Sequence, residues 1–200
     1  MNKETAIDNT DYTKVWEDFK KGDRKAFSVL YETYFDVLYR YGMKFISNEE
    51  VVKDCIQDLF VKLYNSKENI ALTTTPKFYL LFSLKNLIID YSSRYNRITY
   101  ISPEELPFIA TYQFETQDDS LEIDDETKKK FEKVMSLLNP RQKEALYLRF
   151  QLELSYEEVS QLLNVNYQSA RNLIHRAIMK VRENMEFSMF IVLFLEVCRG

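Results

Sequence analysis

Apolar side chains recur every three to four residues through most of this chain, the period that lines one face of an α-helix. In "RKAFSVLYETYFDVLYRYGMKF", Phe27, Leu30, Tyr31, Tyr34, Leu38 and Tyr41 form such a stripe. Gly22 closes the helix before it, and Asp23 is placed to cap the new one. "SNEE" at 47–50 reads as a capping box, Ser47 accepting the amide of Glu50, and the helix it opens turns Val51, Cys55, Ile56, Leu59, Phe60 and Leu63 inward. Thr75-Pro76 starts "KFYLLFSLKNLIIDYSSRYNR" with proline at the first helical position. From Ile101 to Asp125 the period vanishes among prolines and acids, the mark of a solvated linker. After it come amphipathic "ETKKKFEKVMSLLN", then "RQKEALYLRF" behind Asn139-Pro140. Ser155 and Glu158 form a second capping box over "YEEVSQLL", and Asn166 caps a last, basic helix. The pattern predicts an all-α chain of two helical lobes, residues 10–98 and 126–185, the second holding a helix-turn-helix. A flexible acidic linker at 99–125 joins them, and a hydrophobic tail follows at 186–200.

Composition narrows the chemistry. Three glycines leave no room for a Gly-rich phosphate loop, which removes nucleotide-cradling enzymes of that kind. Cys55, Cys198 and the single His175 are too few and too scattered for a disulfide framework or a metal cluster, so no cofactor, metal or catalytic residue is expected. The opening "MNKETAIDNTDYTK" lacks the apolar stretch of a signal peptide, and a cytoplasmic location is the expectation. The unbroken apolar run Met189 to Leu195 is far shorter than the roughly 20 residues a membrane span requires, so no membrane insertion is expected. A final helix packed on the second lobe, or a docking surface, accounts for it.

Charge is the informative quantity. The chain carries 27 basic and 31 acidic residues, yet residues 101–126 alone hold nine acids and no base. Residues 127–200 hold 12 basic against eight acidic groups, and 75–100 four against one. Two mildly basic patches thus flank an acidic strip, and the net charge of −4 describes neither. The basic helix from Asn166 to Arg182 carries Arg171, Arg176, Lys180 and Arg182 without an acid.

That helix, behind a short helix and a three-residue turn, fits a helix-turn-helix. Val159, Leu162, Leu163 and Val165 are placed to pack on Leu173, Ile174, Ala177, Ile178 and Val181. Tyr167, Gln168, Arg171, Asn172, His175 and Arg176 then face outward, where arginine can pair with guanine and Asn or Gln with adenine. Arg176, Lys180 and Arg182 are better placed for phosphates. In the first lobe, Asp54, Gln57, Asp58 and Val61 share a helical face away from Cys55, Ile56, Leu59 and Phe60, a face suited to a basic partner. These residues by themselves also allow a stand-alone helix-turn-helix regulator whose first lobe senses a ligand or dimerises.

"DCIQDLF" at 54–60 and "LSYEEVSQLLNVNYQSARNLIHRA" at 154–177 resemble the signature segments of bacterial RNA polymerase sigma factors of the extracytoplasmic-function (ECF) type. "GDRKAFSVLYETYFDVLYRYG", "FYLLFSLKNLIIDYSSR" and "LLNPRQKEALYLRF" resemble the same family in order and spacing, across most of residues 10–185. The resemblance implies a non-catalytic factor that binds core RNA polymerase and directs promoter recognition and transcription initiation. Asp54, Gln57, Asp58 and Phe60 would dock on the β′ clamp helices. The loop at 65–75 and the helix bearing Lys77, Lys85, Asn86, Asp90 and Arg94 would open and hold the −10 element. Tyr167, Gln168, Ser169, Arg171, Asn172, His175 and Arg176 would read the −35 element. The resemblance further implies a contact with the β flap, an anti-sigma factor as partner, and a linker threaded through the RNA exit path. The chain departs from the family's usual pattern at Asn164, where glycine is common, at Leu173, where a basic residue is common, and at Ser92 and Ser93, where arginines are.

Overall fold

The computed structural model describes residues 12–67, 70, 75–95, 108 and 124–199; the linker reading at 99–125 therefore lies almost wholly outside the described residues. The described residues are helical, without a strand. They are α1 (Tyr12–Lys20), α2 (Arg24–Met43), α3 (Glu49–Asn65), α4 (Pro76–Tyr95), α5 (Asp125–Leu137) and α6 (Pro140–Leu146). A π-helical segment (Tyr147–Gln151) extends α6, and α7 (Tyr156–Leu162), α8 (Tyr167–Arg182) and α9 (Phe187–Arg199) follow. The chain groups into two compact units, residues 1–42 with 48–88, and 43–47 with 89–200.

In the first unit the predicted stripes close on one another. Leu30, Leu38 and Tyr41 of α2, Val52, Ile56 and Leu63 of α3, and Leu80, Leu81, Leu84 and Ile88 of α4 are all buried. Trp16 and Phe19 of α1 join them, the Trp16 ring lying 5.6 Å from Tyr79. Gly42 leaves no room for a side chain between α2 and α3: a Cβ there would stand 2.6 Å from Val52 Cγ1, well inside van der Waals contact. Gly22 turns the chain between α1 and α2 at φ 96°. The cap of α3 falls one residue later than expected. Asn48, not Ser47, accepts the amides of Glu50 and Val51, because its carboxamide reaches both donors from the extended backbone preceding the helix.

The second unit is built around α8. Its buried positions Ala170, Ile174, Ala177 and Val181 recur at three and four residues. α5, α6, α7 and α9 all pack against α8. Three caps fall where the sequence puts them. Asn139 and Ser155 each form a reciprocal box, with Gln142 and Glu158 respectively, and Asn166 accepts the Ser169 amide. α5 begins inside the expected linker, since Asp124 accepts both the amide and the hydroxyl of Thr127. The apolar tail is a helix of its own. α9 buries Phe190, Leu193, Phe194, Val197 and Cys198, with Phe190 stacked on Phe131 at 5.5 Å.

Candidate polymerase and promoter surfaces

The helix-turn-helix owes its angle to local chemistry. Asn164 takes the left-handed conformation at φ 51°, which asparagine tolerates better than most residues. Arg141 fixes the turn from α6, its Nη2 donating to the Leu163 carbonyl at 2.6 Å. Before α7, the π-helical segment and a left-handed Glu153 (φ 57°) reverse the chain, and Arg149 Nη1 donates to the Leu154 carbonyl at 2.8 Å. With the buried face of α8 held against α7, Tyr167, Gln168, Arg171, Asn172, His175 and Arg176 are exposed together. Ser169 is half-buried in the first turn. Gln168 Nε2 donates to Asn172 Oδ1 at 3.0 Å, so the two carboxamides form a single preset edge of donors and acceptors.

Lys180 departs from its expected place among phosphate contacts. Its ammonium donates to the Leu137 carbonyl at 2.9 Å and to Gln142 Oε1 at 3.1 Å. It therefore closes the C-terminus of α5, where backbone carbonyls lack partners and a cation is favoured. Lys180→Ala is expected to lower the stability of the second unit by about 1 kcal/mol while leaving base preference unchanged. Thermal denaturation and promoter selection, measured side by side, check this.

On α3, Asp54, Gln57, Asp58 and Val61 are all exposed, Val61 at 52 %. Their acidic field reaches Cys55 beneath: burial pushes its thiol up to about 11, and the carboxylates of Asp58 and Asp54 add to the rise. Phe60 does not belong to this face. It is 3 % exposed and its ring packs 4.9 Å from Tyr31 and 5.9 Å from Phe27, because it shares the apolar stripe of Ile56, Leu59 and Leu63. On α4, Asn86, Asp90 and Arg94 are exposed at a spacing of four and Lys77 is half-buried. Lys85 is the exception here. It falls in the buried stripe with Leu81, Leu84 and Ile88 and is 3 % exposed, so it is closed to a DNA strand. The face instead includes Phe82, 40 % exposed, with Phe78 at 5.9 Å. Of the loop at 65–75, residues 68–69 and 71–74 lie outside the described residues. No group of three metal-ligating side chains occurs among the described residues, and none of their helices is long and apolar enough to cross a membrane.

A capped helix-turn-helix with a polar recognition face, in a chain with a second helical unit bearing an acidic face, defines a DNA-binding protein of two-lobe design. The Sigma-70 region 2 model matches residues 30–98, and the Sigma-70, region 4 model matches residues 128–181. The chain is 21 % identical over 170 residues to the ECF RNA polymerase sigma factor SigX of Bacillus subtilis, covering 81 % of this chain and 84 % of SigX. It is 26 % identical over 164 residues to the RNA polymerase sigma factor YlaC of the same organism, covering 81 % and 93 %. The fold is shared with the sigma factor RpoE solved in complex with the anti-sigma factor NepR from Bartonella quintana, at TM-score 0.52 and 21 % identity over 84 % of this chain and 96 % of that one. This chain belongs to the sigma-70 family and is an ECF sigma factor. It accordingly binds core RNA polymerase and directs promoter recognition and transcription initiation.

Proposed function

We propose that the N-terminal half of α8 reads the −35 promoter element, with Arg171 and the Gln168–Asn172 pair on base edges and Arg176 on a phosphate. The observation that carries this reading is the joint exposure of those side chains on a helix whose opposite face is locked to α7. Asp54, Gln57 and Asp58 dock on the polymerase β′ clamp helices. Asn86, Asp90 and Arg94, with Lys77 at the start of α4, hold the −10 element as a single strand. The second unit also rests on the β flap. The acidic linker follows the RNA exit path. An anti-sigma factor is a further partner, a reading supported by the solved complex of RpoE with the anti-sigma factor NepR. The factor acts in the cytoplasm and performs no chemistry of its own, since the polymerase supplies catalysis.

Modest affinity in each lobe suits such a design, because sites held together raise each other's effective concentration. The test is promoter selection by the full chain with core polymerase on a pool randomised across the −35 element. Arg171→Ala is expected to erase preference at one base pair, a loss of about 1–3 kcal/mol of discrimination, without weakening polymerase binding. An unchanged preference profile would remove α8 from the −35 contact.

A further inference from the structure

Four side chains form a continuous line across the outer end of the helix-turn-helix. The Arg149 guanidinium, from the π-helical segment, lies over the Tyr156 ring at 5.1 Å from its centroid. Tyr156 opens α7 and Tyr167 opens α8; their centroids are 6.2 Å apart and their planes 74° apart. One turn further along α8, the Arg171 guanidinium lies over the Tyr167 ring at 5.8 Å. Each contact has the geometry its chemistry favours. A cation is attracted to a ring face within about 6 Å, and two rings meet edge to face within about 7 Å.

The line runs from the packed part of the unit to its solvated end. Arg149 is half-buried and tied to the Leu154 carbonyl at 2.8 Å. Tyr156 is half-buried, Tyr167 is 42 % exposed and Arg171 is exposed. An exposed arginine normally samples many rotamers and must be ordered when it binds. Here part of that ordering is already made by a ring, and the ring is itself braced by a second ring and a fixed cation.

We propose that Tyr156 is a positioning residue for promoter choice: through Tyr167 it holds the Arg171 guanidinium in place and sharpens the preference at the base pair Arg171 reads. The proposal rests on the reading of Arg171 as a base contact. Only ring faces and edges take part, so the Tyr156 hydroxyl is dispensable and the ring is not.

The test uses the full chain, core polymerase and the −35-randomised pool, with transcripts sequenced and thermal denaturation followed in parallel. Tyr156→Leu is expected to reduce preference about three- to tenfold at the same base pair that Arg171→Ala flattens, and at no other. Tyr156→Phe should match the parent chain. Tyr167→Leu, at an exposed position, should reproduce the Tyr156→Leu effect even where Tyr156→Leu impairs folding. The proposal is overturned if both leucine variants keep the parental preference. It is equally overturned if they blunt every −35 position alike, the sign of a merely structural role, or if Tyr156→Phe is as damaging as Tyr156→Leu. If Arg171→Ala itself changes nothing, the base-contact reading fails first, and the positioning role falls with it.

Discussion

Asp58→Lys is expected to weaken binding of the chain to core polymerase by roughly tenfold to a hundredfold with the fold intact. Asp58 is exposed on α3 beside Asp54 and Gln57, so reversing its charge disturbs no packing. Against a basic partner surface, the substitution replaces attraction with repulsion between like charges. Asp58→Asn, which removes the charge without reversing it, should fall between the parent and Asp58→Lys. Titration of fluorescently labelled chain with core polymerase measures the affinity. The Cys55 thiol offers an internal check, since the Asp58 carboxylate helps to hold its pKa up at about 11. In Asp58→Lys that thiol should ionise at lower pH. Normal polymerase affinity alongside the shifted thiol would remove the α3 face from the docking surface.

Truncation after Glu186 is the second large effect. It deletes α9, whose Phe190, Leu193, Phe194, Val197 and Cys198 are buried in the second unit. Phe190 stacks on Phe131 at 5.5 Å and on Phe194 at 5.4 Å, and Phe187 meets Phe150 at 5.8 Å. Loss of one such phenylalanine to alanine typically costs about 3–5 kcal/mol, and a small domain has only about 5–15 kcal/mol in total. The truncated chain should lose the cooperative melt of its second unit and its −35 preference together. Phe194→Ala alone should lower the melting temperature of that unit without abolishing it. A truncated chain that melts like the parent would show that α9 is dispensable for the fold. The reading of the tail as a docking surface is narrowed by the same geometry, for only Met189 and Val192 remain as large exposed apolar groups on α9.

Local chemistry was the legible part of this protein. The boxes at Asn139 and Ser155, the cap at Asn166 and the proline start of α4 are decided by residues three or four apart. Ser47 and Asn48 show the limit of that logic. Two good caps stand side by side, and the trajectory of the chain chooses between them. Helical spacing alone put Phe60 inward with Ile56 and Leu59; family resemblance drew it outward, and the spacing was right. Lys85 follows the same rule: the resemblance turns it toward DNA, yet its position in the stripe of Leu81, Leu84 and Ile88 sends it inward. The brace of Arg149, Tyr156, Tyr167 and Arg171 and the Lys180 contact with Leu137 join different elements, which no periodicity reports.

The inward turn of Lys180 also sets how this factor meets counterions. Each phosphate neutralised by a protein cation releases condensed ions, and affinity falls with salt by a power of about 0.9 per phosphate. With Lys180 bonded to carbonyl and amide oxygens and Arg171 proposed for a base edge, α8 keeps Arg176 and Arg182 for phosphates, an exponent of about −1.8 if each meets one. Doubling the salt then costs about three- to fourfold in affinity, against roughly a thousandfold for a protein whose exponent is near −10. On the proposed contacts, α8 is buffered against ionic swings, and its share of promoter choice would rest on bases more than on displaced ions.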